Sequence, residues 1–290
     1  MDRNDRIEVF LDTVKCVNRS YYKKDADGDI TEFEQFPNEF DTFYDKDITD
    51  QLAFENLEEY DTVIEVINKD CLYAARDMID EGLNPLVINN ASFSRPGGGV
   101  EKGSAAQEEN LCRRTNLFKS LYQFREDLAM QYGIKPRDEQ YPLPMRFGAI
   151  YSPGIVVLKA SEDKNYEYLD KPFVVDILTI AALKKPMLTK DGTLNDADKD
   201  IVRDKIRTML NLALDWENDS VVFGAFGCGA YKNPPEEIAK LFKEVINEPN
   251  YKNKLKKIVF AILDDGNAHR EHNPRGNFLP FKEIFENADK

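Results

Sequence analysis

A chain of 290 residues with 42% hydrophobic and 32% charged side chains can bury a large core, and its composition excludes disordered and fibrous classes. Its 39 basic and 53 acidic residues leave a formal charge of −14, a field that repels nucleic-acid backbones and anionic membranes. Four cysteines (Cys16, Cys71, Cys112, Cys228) without CxxC or zinc-type spacing predict free thiols in a reducing compartment. The longest apolar run, Phe173 to Leu183, is interrupted by Asp176 and is too short for a bilayer. These features predict a cytoplasmic monomer with no membrane contact and no direct nucleic-acid binding.

In chain order, Ile7, Phe10, Leu11, Val14 and Val17 recur at helical spacing and predict an opening amphipathic helix. Residues 22–50 are acidic and aromatic without periodicity, which predicts a covering loop. Within them Asp25-Ala26-Asp27-Gly28-Asp29 has the opening of a calcium loop. Ile30 and Phe36 stand where that loop needs Gly and Glu, so a solvated acidic turn is the reading. Strands are predicted at 62–66 and 86–89 around a helix at 69–80, then helices at 105–116 and 117–132. Further strands fit 155–158, 173–180, 221–223 and 258–263, with helices at 198–217 and 235–246. Short apolar runs separated by helices predict an α/β fold, a sheet sandwiched between helices, with residues 1–60 as a helical extension packed on a core of 61–290. His269 and His272, the only histidines, fall between Gly266-Asn267 and Pro274 and read as a surface loop. No metal or cofactor is expected.

Two glycine clusters carry the chemistry. Arg95-Pro96-Gly97-Gly98-Gly99 leads, after seven residues, into Gln107-Glu108-Glu109. Three glycines cost folding entropy and let the backbone approach a ligand closely. Ser104 and Gln107 are spaced as a capping box, which would make Ser104 the N-cap. Successive helical residues diverge by about 100°, so Glu108 and Glu109 are expected to point in different directions. The second cluster, Gly224-Ala225-Phe226-Gly227-Cys228-Gly229-Ala230-Tyr231, follows a strand and precedes Pro234-Pro235. Ligands of open α/β sheets sit at such strand ends, and two amide-rich loops could grip a diphosphate. Cys228 reads as a small residue permitting close approach, since no His lies nearby in sequence. Arg113 and Arg114 read either as phosphate ligands or as partners of Glu101 and Glu108.

The segments Val87–Ser92, Pro96–Glu109 and Leu111–Leu117, with Gly224–Asn233, resemble the microbial-type poly(ADP-ribose) glycohydrolase family. The similarity extends over most of residues 61–265. It implies a macrodomain-like fold that binds ADP-ribose or poly(ADP-ribose) on modified macromolecules and hydrolyses ribose–ribose glycosidic bonds. It further implies Glu109 as acid/base, Glu108 on the ribose hydroxyls and Gln107 bracing the loop. Asn89 would anchor the ribose, Gly97–Gly99 and the run Gly227, Cys228, Gly229, Ala230 would line the diphosphate, and Tyr231 would meet the proximal ribose. Asn90 and Phe226 depart from the family pattern on the adenine side. Mono-ADP-ribosyl hydrolysis or non-catalytic ADP-ribose binding are the alternatives; intact Gln107-Glu108-Glu109 favours an enzyme, because binding alone needs no acid.

Overall fold

The computed structural model describes residues 1–24, 28–264, 266 and 268–286; the start of the calcium-like motif, with Asp265 and Asn267, lies outside them. In chain order the elements are α1 (Arg3–Arg19), β1 (Tyr21–Lys23), β2 (Ile30–Glu32), β3 (Thr42–Tyr44), β4 (Val63–Ile67), α2 (Cys71–Asp80), β5 (Pro85–Asn90), α3 (Gln107–Arg114) and α4 (Leu117–Tyr122). There follow α5 (Glu126–Gln131), β6 (Ala149–Lys159), β7 (Tyr168–Ile180), α6 (Asp196–Asp215), β8 (Ser220–Phe223), α7 (Pro235–Ile246), β9 (Lys257–Ala261) and α8 (Phe278–Glu286). This is the mixed α/β class that the apolar runs predict. The chain divides into two compact units: Met1–Phe43 with Ala91–Leu143 and Ile150–Ile180, and Tyr44–Asn90 with Pro144–Ala149 and Ala181–Lys290.

In the first unit the strand order is β3-β6-β7. Eight residues join β6 to β7, too few for a parallel crossover, and Asp176 on β7 accepts from Tyr151 Oη (2.7 Å) and Gly154 N (2.9 Å) on β6. The segment predicted as a loop at 22–50 contains the antiparallel β1–β2 pair, Tyr22 facing Thr31. Helix α1 is capped by a reciprocal Asp2–Asp5 box, and its predicted face is buried at Phe10 and Val17 and half-buried at Ile7 and Val14. Phe10, Thr13, Cys16 and Val17 point inward, while Leu11 is 45% exposed. The cause is polar: Thr13 Oγ1 donates to the Arg113 carbonyl and accepts from Lys159 Nζ (3.0 Å), which rotates the helix toward its hydrogen-bonding residues. The predicted helix at 117–132 is two helices. Gln123 turns its amide back to Ser120 O (2.8 Å) and to Asp41 Oδ2 (2.6 Å), and Arg125 is extended. Asp41 is 2% exposed; burial pushes its carboxyl up to about 7 against hydrogen bonds from Ser152, Ser120 and Gln123.

In the second unit β5 pairs with β8, β8 with β9 and β9 with β4, all parallel. The inner strands β5, β8 and β9 are buried almost throughout, as parallel strands covered on both faces must be. Phe223, Phe242, Phe260 and Phe281 form the aromatic core, with centroids 4.9 Å apart for Phe223–Phe242 and 5.3 Å for Phe260–Phe281. Helix α6 brings Lys205 into this interior, 1% exposed and with no hydrogen-bond partner for Nζ among the described residues. Desolvation alone pushes that amine down to about 7.

Candidate active site

Strand β5 ends at Asn90, and the chain then runs through Ser92 to the triple glycine, which curls over the start of α3. Helix α3 begins at Gln107 with Ala106 at its N-cap and no side-chain cap. The predicted Ser104 cap is therefore not formed. Ser104 instead folds under Gly99, where its Oγ occupies the space a β-carbon on Gly99 would need.

The two carboxylates, expected to diverge, both turn onto the glycine loop. Glu108 Oε2 accepts from Ser92 N (2.7 Å) and its Oε1 from Gly97 N (3.1 Å). Glu109 Oε1 accepts from Gly99 N (2.8 Å). Alternate amides of a tightly curled loop thus meet successive residues of a helix, which cancels their angular separation. Gly98 lies between them with φ +57°; a β-carbon there would overlap Glu109 Oε1 and stand 2.9 Å from Glu108 Oε2. Any side chain would drive the loop off both acids.

Gly98 N donates to Arg95 O (3.0 Å). All three glycine amides are therefore used inside the loop, so close approach here comes from bare α-carbons rather than from N–H donors. Arg95 pairs with Glu101, which also accepts from Tyr132 Oη (2.7 Å). Beneath the loop the Tyr122 ring packs against Gly97, with its phenol fully buried and no hydrogen-bond partner among the described residues.

Glu108 is 2% and Glu109 8% exposed. Both oxygens of Glu108 are engaged. Glu109 Oε2 has no hydrogen-bond partner among the described residues. A carboxyl held rigidly by one oxygen and unengaged at the other can give or take a proton without leaving its place. Arg113 and Arg114 both reach oxygens of the surrounding framework. Arg113, fully buried, donates to Ser104 O and to Arg6 O (3.2 Å), and Arg114 donates to Lys159 O (3.1 Å) and Asn110 Oδ1 (3.1 Å).

The other predicted residues belong to the second unit. Asn89 is fully buried near the end of β5. Gly227 follows β8 with φ +74°, and a β-carbon there would stand 2.5 Å from both Ala182 Cβ and Asn233 Nδ2. Asn233 holds the loop shut: its Nδ2 donates to Leu183 O (2.8 Å) and Gly227 O (3.1 Å), and its N–H to Gly227 O. Tyr231 O accepts from Lys185 N (2.8 Å). Ala230 is exposed and Gly229 half-buried. Cys228 is fully buried with its thiol pushed well up by desolvation, which fits a spacer and not a nucleophile.

Two residues escaped the sequence reading. His272, expected on a surface loop, brings Nε2 to 3.0 Å from Cys228 O, and Asn273 Nδ2 reaches the same carbonyl at 3.4 Å. Only tertiary packing brings that segment to the second glycine loop, and no local spacing announces it. Among the described residues no group of His, Cys, Asp and Glu could hold a metal, and no helix is long and apolar enough to cross a membrane.

The family model for the microbial-type PARG catalytic domain matches residues 11–160. Among solved structures, the poly(ADP-ribose) glycohydrolase of Thermomonospora curvata bound to the inhibitor ADP-HPD is 24% identical. The match covers 98% of this chain and 100% of that one, with a TM-score of 0.75. A second structure of the Thermomonospora curvata poly(ADP-ribose) glycohydrolase is 25% identical over the same coverage and TM-score. The Deinococcus radiodurans glycohydrolase in complex with ADP-ribose is 24% identical, covering 86% of this chain and 96% of that one, at a TM-score of 0.67. No curated protein matches the chain.

Proposed function

This chain belongs to the microbial-type poly(ADP-ribose) glycohydrolase family, with the macrodomain-like fold of its solved members, and from that premise we propose how its residues divide the work. It is a glycoside hydrolase that releases ADP-ribose from ADP-ribose polymers. Glu109 is the acid/base: it protonates the leaving ribose oxygen as oxocarbenium charge develops, then takes a proton from the attacking water. Glu108, fixed through Ser92 and Gly97, retains lone pairs for the hydroxyls of the scissile ribose. Gln107 braces the loop and Asn89 anchors the ribose. Gly97–Gly99 and the run Gly227–Ala230, Cys228 included, line the diphosphate, and Tyr231 meets the proximal ribose.

The observation that carries this reading is the asymmetry of Glu109, one oxygen clamped by Gly99 and the other unengaged. A protein that only bound ADP-ribose would have no use for a buried, rigid, half-engaged carboxyl. The four buried free thiols support a reducing cytoplasmic setting, and the charge of −14 gives no long-range attraction for any polyanion, so the ADP-ribose chain is held by short-range contacts at the site.

The test is Glu109→Gln. Turnover of labelled poly(ADP-ribose) should fall by at least about a hundredfold, with ADP-ribose still binding by calorimetry. Normal turnover in that variant would end the assignment. Running mono-ADP-ribosylated protein beside the polymer decides between the two substrate classes.

A further inference from the structure

Arg113 is a guanidinium at 0% exposure with no ion pair among the described residues. Burying a charge is costly unless hydrogen bonds compensate for lost water, so its partners show what the burial secures. A helical side chain leans toward the N-terminus of its helix. Arg113 accordingly runs back past Glu109, one turn earlier, to the Ser104 carbonyl ahead of α3.

From there a ring of hydrogen bonds closes. Ser104 N donates to Gly99 O (3.1 Å), Gly99 N donates to Glu109 Oε1 (2.8 Å), and α3 itself returns from Glu109 to Arg113. The ring is fastened to α1 on its outer side. Arg113 Nε donates to Arg6 O (3.2 Å), and Thr13 Oγ1 donates to Arg113 O. Gly103, with φ +70°, leaves less than 3 Å between its would-be β-carbon and the backbone of Arg3. Arg6 is itself fixed, its Nε and Nη2 on Glu162 at 2.9 and 2.7 Å. Arg3 and Arg6 precede residue 11, where the family match begins.

We propose that Arg113 is a positioning residue for Glu109, acting through Ser104 and Gly99, and that the first turns of α1 are its splint. The inference rests on the reading of Glu109 as the acid/base. Its loss moves Gly99 N–H away from Oε1 and lets the carboxyl swing, without removing a group that touches ADP-ribose. Lysine cannot replace it, because its donors radiate from one nitrogen and lack the rigid planar fork that sets Nε on Arg6 O and Nη2 on Ser104 O together.

The experiment uses the full chain in three variants. Arg113→Lys should lower kcat on poly(ADP-ribose) by about ten- to a hundredfold, with KM and ADP-ribose affinity within about threefold. Gly103→Ala, which pushes the loop off α1 without altering Arg113 or Glu109, should show the same split to a smaller degree, and it decides the matter if Arg113→Lys does not fold. Combined with Glu109→Gln, Arg113→Lys should lower the residual rate no further. If Glu109→Gln is inactive while folded Arg113→Lys and Gly103→Ala keep kcat within twofold, the positioning role is wrong and the acid/base reading stands. Loss of ADP-ribose affinity in step with kcat would also overturn positioning. An active Glu109→Gln overturns the underlying reading instead.

Discussion

In the first unit the buried cations Arg113, Arg114 and Lys159 are held by hydrogen bonds, whereas in the second the buried Lys205 has no partner for its Nζ among the described residues. Lys159, 2% exposed, donates to Val9 O (3.2 Å), Asp12 Oδ2 (2.7 Å) and Thr13 Oγ1 (3.0 Å). Arg114 and Arg113 join α3 to Lys159 and to α1 in the same way. Lys205, at 1% exposure, has nothing comparable. Apolar burial is strong but non-directional, while a hydrogen-bonded charge fits only one arrangement of its acceptors. Around Glu109 the first unit thus adds directional bonds to its apolar core, and around Lys205 the second does not.

Four substitutions would break or sharpen that contrast. Phe260→Ala should lower the unfolding free energy by about 3–5 kcal/mol, read from urea denaturation; a cost below about 1 kcal/mol would show that the aromatic core is not the main support there. Lys205→Met should go the other way and stabilise by about 2–4 kcal/mol at pH 7. The sign follows from its depressed pKa: the unfolded chain holds the proton up to the ordinary lysine range while the folded chain releases it near 7. The penalty is therefore full below about pH 7 and fades as pH rises toward 10.5, and the gain in the Met variant should fade with it. A Lys205→Met protein less stable than wild type would mean that the amine has a partner in solution.

Arg114→Met, which strips donors from Lys159 O and Asn110, should cost about 2–4 kcal/mol; a neutral result would mean that the wiring is dispensable. Asp41→Asn acts through pH dependence. The folded chain keeps the Asp41 proton to about 7 and the unfolded chain loses it near 4. Wild-type stability should therefore carry a negative slope of up to about 1.4 kcal/mol per pH unit between those values, which the amide removes. Unchanged slopes would place Asp41 in contact with water.

Much of the architecture was legible because periodicity reports burial. The predicted helix at 235–246 is α7 to the residue, and the runs at 86–89 and 221–223 lie inside β5 and β8. What failed was decided by partners distant in sequence. Leu11 reads as core until Thr13 must meet Arg113, and Gln123 reads as helix until Asp41 arrives 82 positions earlier in the chain. The site was legible as composition, since Gly97–Gly99 and Gln107–Glu109 announce themselves. Its geometry was not: the Ser104 cap was wrong, and helix geometry alone could not show a loop curling so that Gly97 and Gly99 each meet one acid.

The first unit is drawn from three separate stretches of chain, and this bears on its birth at the ribosome. Lys159 meets Val9 across 150 positions, so at roughly 5–20 residues per second the opening helix emerges about 8–30 s before its buried lysine exists. During that interval the inward face of Phe10, Cys16 and Val17 is only partly covered, since Phe118 and Tyr132, which pack on Phe10, emerge before the buried lysine. Nascent chains halted before residue 113 should be cut readily by protease within the opening helix, and protection should become complete once the hairpin of β6 and β7 has left the exit tunnel.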